Sequence, residues 1–260
     1  MTEIAYRPRS AAEIVDAAFQ IFRQHFKTFV LVTAIAHLPL LLLDTALSHA
    51  FGFDDALAAG SVDSSFLIVS ALGMVWLGLV NAVVCAAGSE AYLQRIPDPA
   101  AAFRMTLSRA GAVLACVVLV NIAAAIGLVL LIVPGLYLYA RYGLAPVVAV
   151  LEGRGVQASL ARASVLSNGR KRHILFAMFI ILLIFFAISL ALGFAAQTLL
   201  QHPVLVAAAG FVITIVSYPV VALAQTILYY DLRIRAEGYD VQLMSDRLAS
   251  QAVPASGIEV

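Results

Sequence analysis

The chain has 260 residues, of which 63% are hydrophobic and 12% are charged, and its mean hydropathy is +0.98. Soluble domains carry about 25% charged residues, so this composition excludes a water-soluble globule and indicates a surface covered by lipid. The 16 basic and 15 acidic residues give a formal net charge of +1, which implies no polyanionic partner such as a nucleic acid.

Six stretches are apolar and long enough to cross a bilayer as helices. They lie at about 28–47, 66–93, 110–133, 134–151, 173–200 and 203–230. Pro134 and Gly135 separate the third stretch from the fourth, and Pro203 follows the break between the fifth and the sixth. We therefore predict an all-α integral membrane protein, a bundle of six transmembrane helices. Residues 1–240 form one six-span membrane domain, and residues 241–260 form a flexible cytoplasmic tail.

A short amphipathic helix is predicted before each of the three outward-going spans. Ser10 and Glu13 match the S-x-x-E capping box at the start of the first, and Asp98 and Pro99 are typical of the start of the second. The third ends at residues 167–169. We expect these helices to lie in the headgroup region as interfacial anchors, with a lipid-binding or partner-binding surface as the alternative. Each of these helices is followed by a hairpin of two spans. We therefore predict that this unit is repeated three times, at about 8–93, 98–151 and 155–230.

Basic residues are sorted between the loops, and this bias indicates the orientation of the spans. Four segments contain 15 of the 16 Lys and Arg residues: those before the first span, between spans two and three, between four and five, and after the sixth. The opposite loops contain none, and the first of them carries Asp54, Asp55 and Asp63. Cytoplasmic loops are enriched in Lys and Arg, so we expect a protein of the cell (cytoplasmic) membrane with both termini in the cytoplasm.

Polar side chains within the spans are candidate functional residues, because they are costly at membrane depth. The candidate intramembrane cluster consists of His37, Asp44, Asn81, Asn121 and Arg141. Asp44 and Arg141 are predicted at similar depths, so a buried ion pair between them is expected. A polar clasp that fixes the packing of the helices is the favoured interpretation. A path for a solute or a proton and a catalytic role are the alternatives.

The sequence contains no recognisable catalytic or cofactor-binding motif. It has no G-x-S-x-G, P-loop or G-x-G-x-x-G pattern, and its five His residues are scattered without a metal-ligand spacing. Cys85 and Cys116 both lie in apolar runs, where Cys acts as a small packing residue. We therefore predict no catalytic residues, no cofactor and no metal, and we lean towards a protein that is not an enzyme.

Three blocks occur in a fixed order along residues 7–240. The first contains Arg7-Pro8-Arg9-Ser10, the second runs from Pro134-Gly135-Leu136-Tyr137 to Gly169, and the third contains Tyr229-Tyr230-Asp231-Leu232-Arg233. Together they resemble a prokaryotic membrane-protein family named for the membrane domain of glycerophosphoryl diester phosphodiesterases. The resemblance implies a six-helix membrane protein, mostly of unknown function. It implies no phosphodiesterase activity, because the catalytic domain of that name is absent from this sequence.

The basic and aromatic residues on the cytoplasmic side form a candidate interface with the bilayer, including anionic lipid headgroups, or with a protein partner. They are Arg162, Arg170, Lys171, Arg172, Tyr230, Asp231, Arg233 and Arg235. The first functional hypothesis is a non-enzymatic scaffold or regulatory component that acts through this face. The alternative is a transporter or lipid-handling protein with a polar intramembrane site around Arg141.

Overall fold

The structure, a computed structural model, describes residues 7–51, 64–200, 202–242, 244 and 245. The acidic loop with Asp54, Asp55 and Asp63 and most of the predicted tail at 241–260 lie outside these residues. Within them the chain forms helices and no strands. The helices are α1 (Ala11–Gln24), α2 (Phe26–Phe51), α3 (Ser64–Tyr92), α4 (Pro99–Ser108), α5 (Ala110–Leu130), α6 (Ile132–Tyr142), α7 (Ala145–Glu152), α8 (Val156–Leu166), α9 (Lys171–Leu199) and α10 (Pro203–Glu237).

In the part of the chain that the structure describes, five helices are long and apolar enough to cross a membrane, which confirms an all-helical, multi-pass membrane protein. The spanning segments are Phe26–Leu43, Val69–Tyr92, Ala110–Leu130, Lys171–Leu199 and Val204–Glu237. They correspond to five of the six predicted spans.

The predicted fourth span, 134–151, is not one continuous helix. The chain breaks first at Leu131, where the backbone is extended, so Pro134 lies inside the first turn of α6 rather than before it. Proline is tolerated there because its missing N–H has no partner in a first helical turn. A second break separates Tyr142 from Ala145. Pro146 explains it, because its ring would clash with the carbonyl of Tyr142 in a continuous helix.

The short amphipathic helices begin where the sequence predicts. The Ser10 side chain accepts a hydrogen bond from the Glu13 N–H and the Glu13 carboxylate accepts one from the Ser10 N–H, so the capping box is complete. Asp98 caps α4 with Pro99 in its first turn, and Gly169 follows α8 in the left-handed region. The apolar face of α1, with Ile14, is buried against α9 and α10. Protein therefore covers the face that was expected to anchor in lipid.

The two helices α3 and α10 form the centre of the bundle and run parallel to each other. Asn81 of α3 bonds to Gln225 of α10, and Ser89 bonds to Tyr230 at 2.6 Å. In both helices the residue of the second pair lies at least one helical turn after the residue of the first pair, so the two helices run in the same direction. Around this pair, α2, α5 and α7 pack against α3, while α1 and α9 pack against α10. Small residues allow close approach: a Cβ added at Gly88 would lie 2.8 Å from Leu223. This core positions the polar residues described next.

Candidate functional sites

Arg141 lies in the last turn of α6 and lines a groove of about 550 Å³. Its Nε donates a hydrogen bond to Ser164 Oγ of α8 at 2.9 Å, and its guanidinium lies 5.2 Å from the ring centroid of Tyr142. Ser167 Oγ donates to the Arg141 carbonyl at 3.2 Å, which fixes the end of α6 against α8. The other side chains of the groove are mostly apolar, including Leu119, Val120, Ala123 and Leu160.

Arg141 forms no ion pair with any acidic group whose side chain the structure describes. The side chain of Asp44, its predicted partner, lies outside the described part of the chain, so that pair stays a prediction. The helix that carries Asp44, α2, packs against α3 and α10, whereas α6 packs against α5, α8 and α9. Arg141 is thus a half-buried cation in an apolar groove, held by a hydroxyl rather than by a carboxylate.

The remaining members of the predicted intramembrane cluster lie in two further places. Asn81 and Asn121 line one cavity together with Gln225. His37 is buried on α2, where its Nδ1 lies 3.2 Å from the Thr33 carbonyl and its ring lies edge-on to Tyr218, at 5.2 Å between centroids. Sequence reasoning grouped these residues by depth alone, and depth says nothing about which side of a helix each one occupies.

At the end of the bundle formed by the segment before α1 and the C-terminal part of α10, Asp231 is the centre of a buried polar network. Its side chain is 1% exposed and accepts hydrogen bonds from the Arg9 backbone N–H at 2.6 Å and from Arg235 Nε at 2.7 Å. His173 Nε2 lies 3.1 Å from the same carboxylate. Arg235 also donates to the Arg9 carbonyl, and Arg170 donates to the Arg235 carbonyl at 2.6 Å. Asp231 therefore joins the segment before α1 to α9 and α10.

Glu152, at the end of α7, is the centre of a second network. Its carboxylate accepts hydrogen bonds from Arg162 Nε at 3.0 Å and from the Tyr229 hydroxyl at 2.9 Å. Burial raises the pKa of Glu152, but the hydrogen bonds from Arg162, Tyr229 and Arg154 outweigh burial and lower the pKa below its ordinary value of 4.5. Arg162 also bonds to Glu237, and this hydrogen bond raises the pKa of Arg162.

Aromatic residues complete the same end of the bundle. Tyr230 stacks on Tyr92, with 4.6 Å between ring centroids, and on Tyr239 at 5.9 Å. The guanidinium of Arg233 lies 3.7 Å from the centroid of Tyr239, and Arg233 Nε lies 3.3 Å from Glu237. Six members of the predicted cytoplasmic interface thus bind other parts of the same chain: Arg162, Arg170, Tyr230, Asp231, Arg233 and Arg235.

Two members of that interface, Lys171 and Arg172, are placed differently. Lys171 Nζ lies 5.1 Å from the ring centroid of Tyr137. Arg172 is exposed at the start of α9, beside a surface groove that Leu136, Phe176 and Phe179 also line. Lys171 thus contacts a ring of the same chain, whereas the side chain of Arg172 is exposed.

Sequence reasoning identified Asp231 but missed Glu152, Glu237 and Ser164, which bind Arg162 and Arg141. Glu152 and Glu237 both lie near basic residues along the chain, and this proximity was the one signal in the sequence that they form ion pairs. Ser164 gives no sequence signal, because a single Ser in a short helix is common. Among the described residues no three His, Cys, Asp or Glu side chains form a group that could hold a metal ion.

Comparisons with protein-family models, with curated proteins and with solved structures find no match to this chain. The family resemblance of the three blocks stays a prediction.

Proposed function

We propose that this chain is a lipid-handling membrane protein that binds the phosphate group of an anionic phospholipid at Arg141. The observation that carries the proposal is a half-buried guanidinium that lines an apolar groove and pairs with no described acid. A charged side chain at membrane depth costs about 2.5–3.5 kcal/mol by insertion scales, so it is normally paired or functional.

The chemistry of the groove suits an amphiphile. Arginine presents several N–H donors in a planar fork that matches a phosphate group, and in Arg141 only Nε is used, by Ser164. The terminal nitrogens remain for a ligand. Leu119, Ala123 and Leu160 offer an apolar surface of the kind that an acyl chain covers. A free inorganic phosphate would leave that apolar surface without a partner, so we propose a phospholipid as the ligand.

The test is native mass spectrometry of the full chain, released from detergent after titration with phosphatidylglycerol or phosphatidylcholine. We expect Arg141→Gln to weaken phosphatidylglycerol binding by about 10- to 100-fold, since a hydrogen bond to a charged group contributes about 1.5–3 kcal/mol. Arg141→Lys should retain part of the affinity, because it keeps the charge but not the fork.

The matched control is Arg104→Gln, which removes an exposed cation of α4 that lies outside the groove. We expect this variant to bind phosphatidylglycerol as the wild type does. Equal losses in both glutamine variants, or equal binding of phosphatidylcholine and phosphatidylglycerol by the wild type, would overturn the proposal. Competition by inorganic phosphate at low concentration would assign the site to the free anion instead.

A scaffold or regulatory role through the cytoplasmic face is the second candidate. It is supported by Arg172, an exposed cation beside the exposed rings of Phe176 and Phe179. Crosslinking in native membranes from a photoreactive group at Phe176, in the same groove, tests it. A reproducible protein partner that Arg172→Ala loses would support the role, and crosslinks to lipid alone would count against it.

We further propose six spans, in which α6 and α7 together form the fourth, with both termini in the cytoplasm of the cell in which the chain resides. This topology places 15 of the 16 basic residues on one side. Broken helices span membranes where neighbouring helices cover the free backbone groups, and α7 packs against α3, α5 and α8. Reporter fusions at each terminus test it: five spans would place the two reporters on opposite sides of the membrane, and six on the same side. The threefold repeat belongs to this proposal, and superposition of the three units tests it.

A further inference from the structure

A second cavity, of about 180 Å³, lies between α3, α5, α6, α7 and α10 and, like the groove of Arg141, is open to the surface. Polar side chains enter it from four helices. They are Asn81 of α3, Asn121 of α5, Tyr139 of α6, and Tyr218 and Gln225 of α10. Asn81 and Asn121 each lie near the middle of a spanning segment, so the cavity is at membrane depth.

The polar groups of the cavity have more hydrogen-bonding capacity than they use on one another. Asn81 Nδ2 donates to Gln225 Oε1 at 2.6 Å, and Asn121 Nδ2 donates to the Val117 carbonyl at 2.8 Å. Asn121 Oδ1, Gln225 Nε2 and the Tyr139 hydroxyl have no hydrogen-bond partner among the described residues. The cavity therefore offers at least one free acceptor and one free donor, and rotating an amide by 180° only exchanges which group supplies each.

The break between α6 and α7 also faces this cavity, because Gly143 and Pro146 line it. Irregular backbone at membrane depth is tolerated where it is buried in protein or lines a polar cavity. In transport proteins, ligand sites lie beside such discontinuous helices. The break thus adds polar backbone groups to the same wall.

Among the described residues that line the cavity, none carries a carboxylate, guanidinium, ammonium or imidazole group. An ion in this cavity would be desolvated without a compensating charge, which disfavours ionic ligands. A cavity of about 150 Å³ holds a molecule the size of benzene, so this one holds a ligand of similar or slightly larger size. We propose that the cavity is a binding site for a small uncharged molecule that both donates and accepts hydrogen bonds, such as a polyol. It is separate from the groove of Arg141, with which it shares Val120 as a wall.

Saturation-transfer NMR on the full chain in lipid nanodiscs tests this site, with the polyol erythritol as the probe. The first variant is Met74→Trp, because Met74 lines the cavity and is 55% exposed, so that a larger side chain closes the cavity without overpacking the core. The control is Leu72→Trp, which makes the same kind of change at an equally exposed position that does not line the cavity.

We expect saturable transfer to erythritol in the wild type and in the Leu72→Trp protein, and transfer at background level in the Met74→Trp protein. Asn121→Leu should weaken binding by about 3- to 10-fold, since it removes the free acceptor. Its control is Gln197→Leu, the same loss of an amide at an exposed position of α9.

Three results would overturn the proposal: no saturable transfer in the wild type, equal transfer in the two tryptophan variants, or equal transfer to erythronate, the negatively charged counterpart of erythritol. Arg141→Gln should leave transfer to erythritol unchanged. The failure of this site and the failure of the phospholipid site are therefore distinguishable.

Discussion

The arginines of this chain occur in two kinds of surroundings. At the end of the bundle that contains Asp231, Arg162 and Arg235 each bond to a carboxylate that is nearly buried. Arg162 also bonds to Glu237 and so joins α8 to α10, and Arg235 also bonds to the Arg9 carbonyl. Arg141 bonds to a serine hydroxyl and lines an open groove. In the first region the protein supplies the anion. In the second region the described residues supply no anion, and the groove is open to a ligand that carries one.

The comparison teaches that a basic residue near a membrane must be assessed by its partner. Taken from the sequence, Arg162, Arg233 and Arg235 look like a surface for lipid or protein, and Arg141 looks like part of a clasp. In the structure Arg162 joins α8 to α10, and Arg233 and Arg235 form ion pairs within α10. Arg141, in contrast, has terminal N–H groups that no described residue accepts. Three substitutions test whether this division is correct.

The largest effect is expected at Asp231. Asp231→Asn removes a buried charge and leaves Arg235 and His173 without their carboxylate, so we expect a loss of about 3–5 kcal/mol in the free energy of unfolding. Equilibrium unfolding in mixed micelles measures it. The control, Asp16→Asn, changes an exposed acid of α1 and should have an effect within about 0.5 kcal/mol. Equal effects of the two substitutions would mean that the network does not stabilise the bundle.

An intermediate, pH-dependent effect is expected at Glu152. Its pKa is lower in the folded protein than its ordinary value of 4.5, so the carboxylate stabilises the fold above pH 4.5, and this contribution is lost as the pH falls through the folded pKa. At neutral pH we expect Glu152→Gln to cost about 1.5–3 kcal/mol, the range for hydrogen bonds to a charged group. Unfolding of both proteins from pH 7 to pH 3.5 measures the difference.

The difference between the wild type and the Glu152→Gln protein should stay constant down to about pH 4.5 and shrink below it. Subtracting the two curves removes the titration of Asp231 and of the other acids, which both proteins share. A difference that does not change with pH would show that Glu152 stabilises the fold by its shape and not by its charge.

Local features of the fold were predictable from the sequence, because they depend on residues that are close along the chain. The capping box at Ser10 and Glu13 and the start of α4 at Asp98 are such features. The break after Tyr142 was not predicted, although its cause, Pro146, is in the sequence. An apolar stretch of that length is predicted as a span whether or not its helix is continuous. A proline alone does not decide the matter, because Pro39 and Pro219 lie inside helices that continue past them.

The polar sites were predictable in composition and not in arrangement. Asp231 bonds to the backbone of Arg9, more than 200 residues earlier, and no periodicity or spacing links the two. Asn81 and Asn121 were recognised because amides are rare in spans, but Gln225 and Tyr139 were not. Only helix packing brings these four side chains to one cavity.

The smallest effect on stability is expected at Arg141, and it is the most informative of the three. Arg141→Gln loses one hydrogen bond to Ser164 but also relieves the cost of keeping a cation half-buried, so we expect a change of less than about 1 kcal/mol in the free energy of unfolding. Ser164→Ala should destabilise by a similar amount, while only Arg141→Gln should lose the affinity for phosphatidylglycerol. An arginine that serves structure shows the opposite pattern, a large loss of stability with lipid binding unchanged. If Arg141→Gln destabilises the protein as much as Asp231→Asn does, then Arg141 is a clasp like the arginines near Asp231, and the division between the two regions fails.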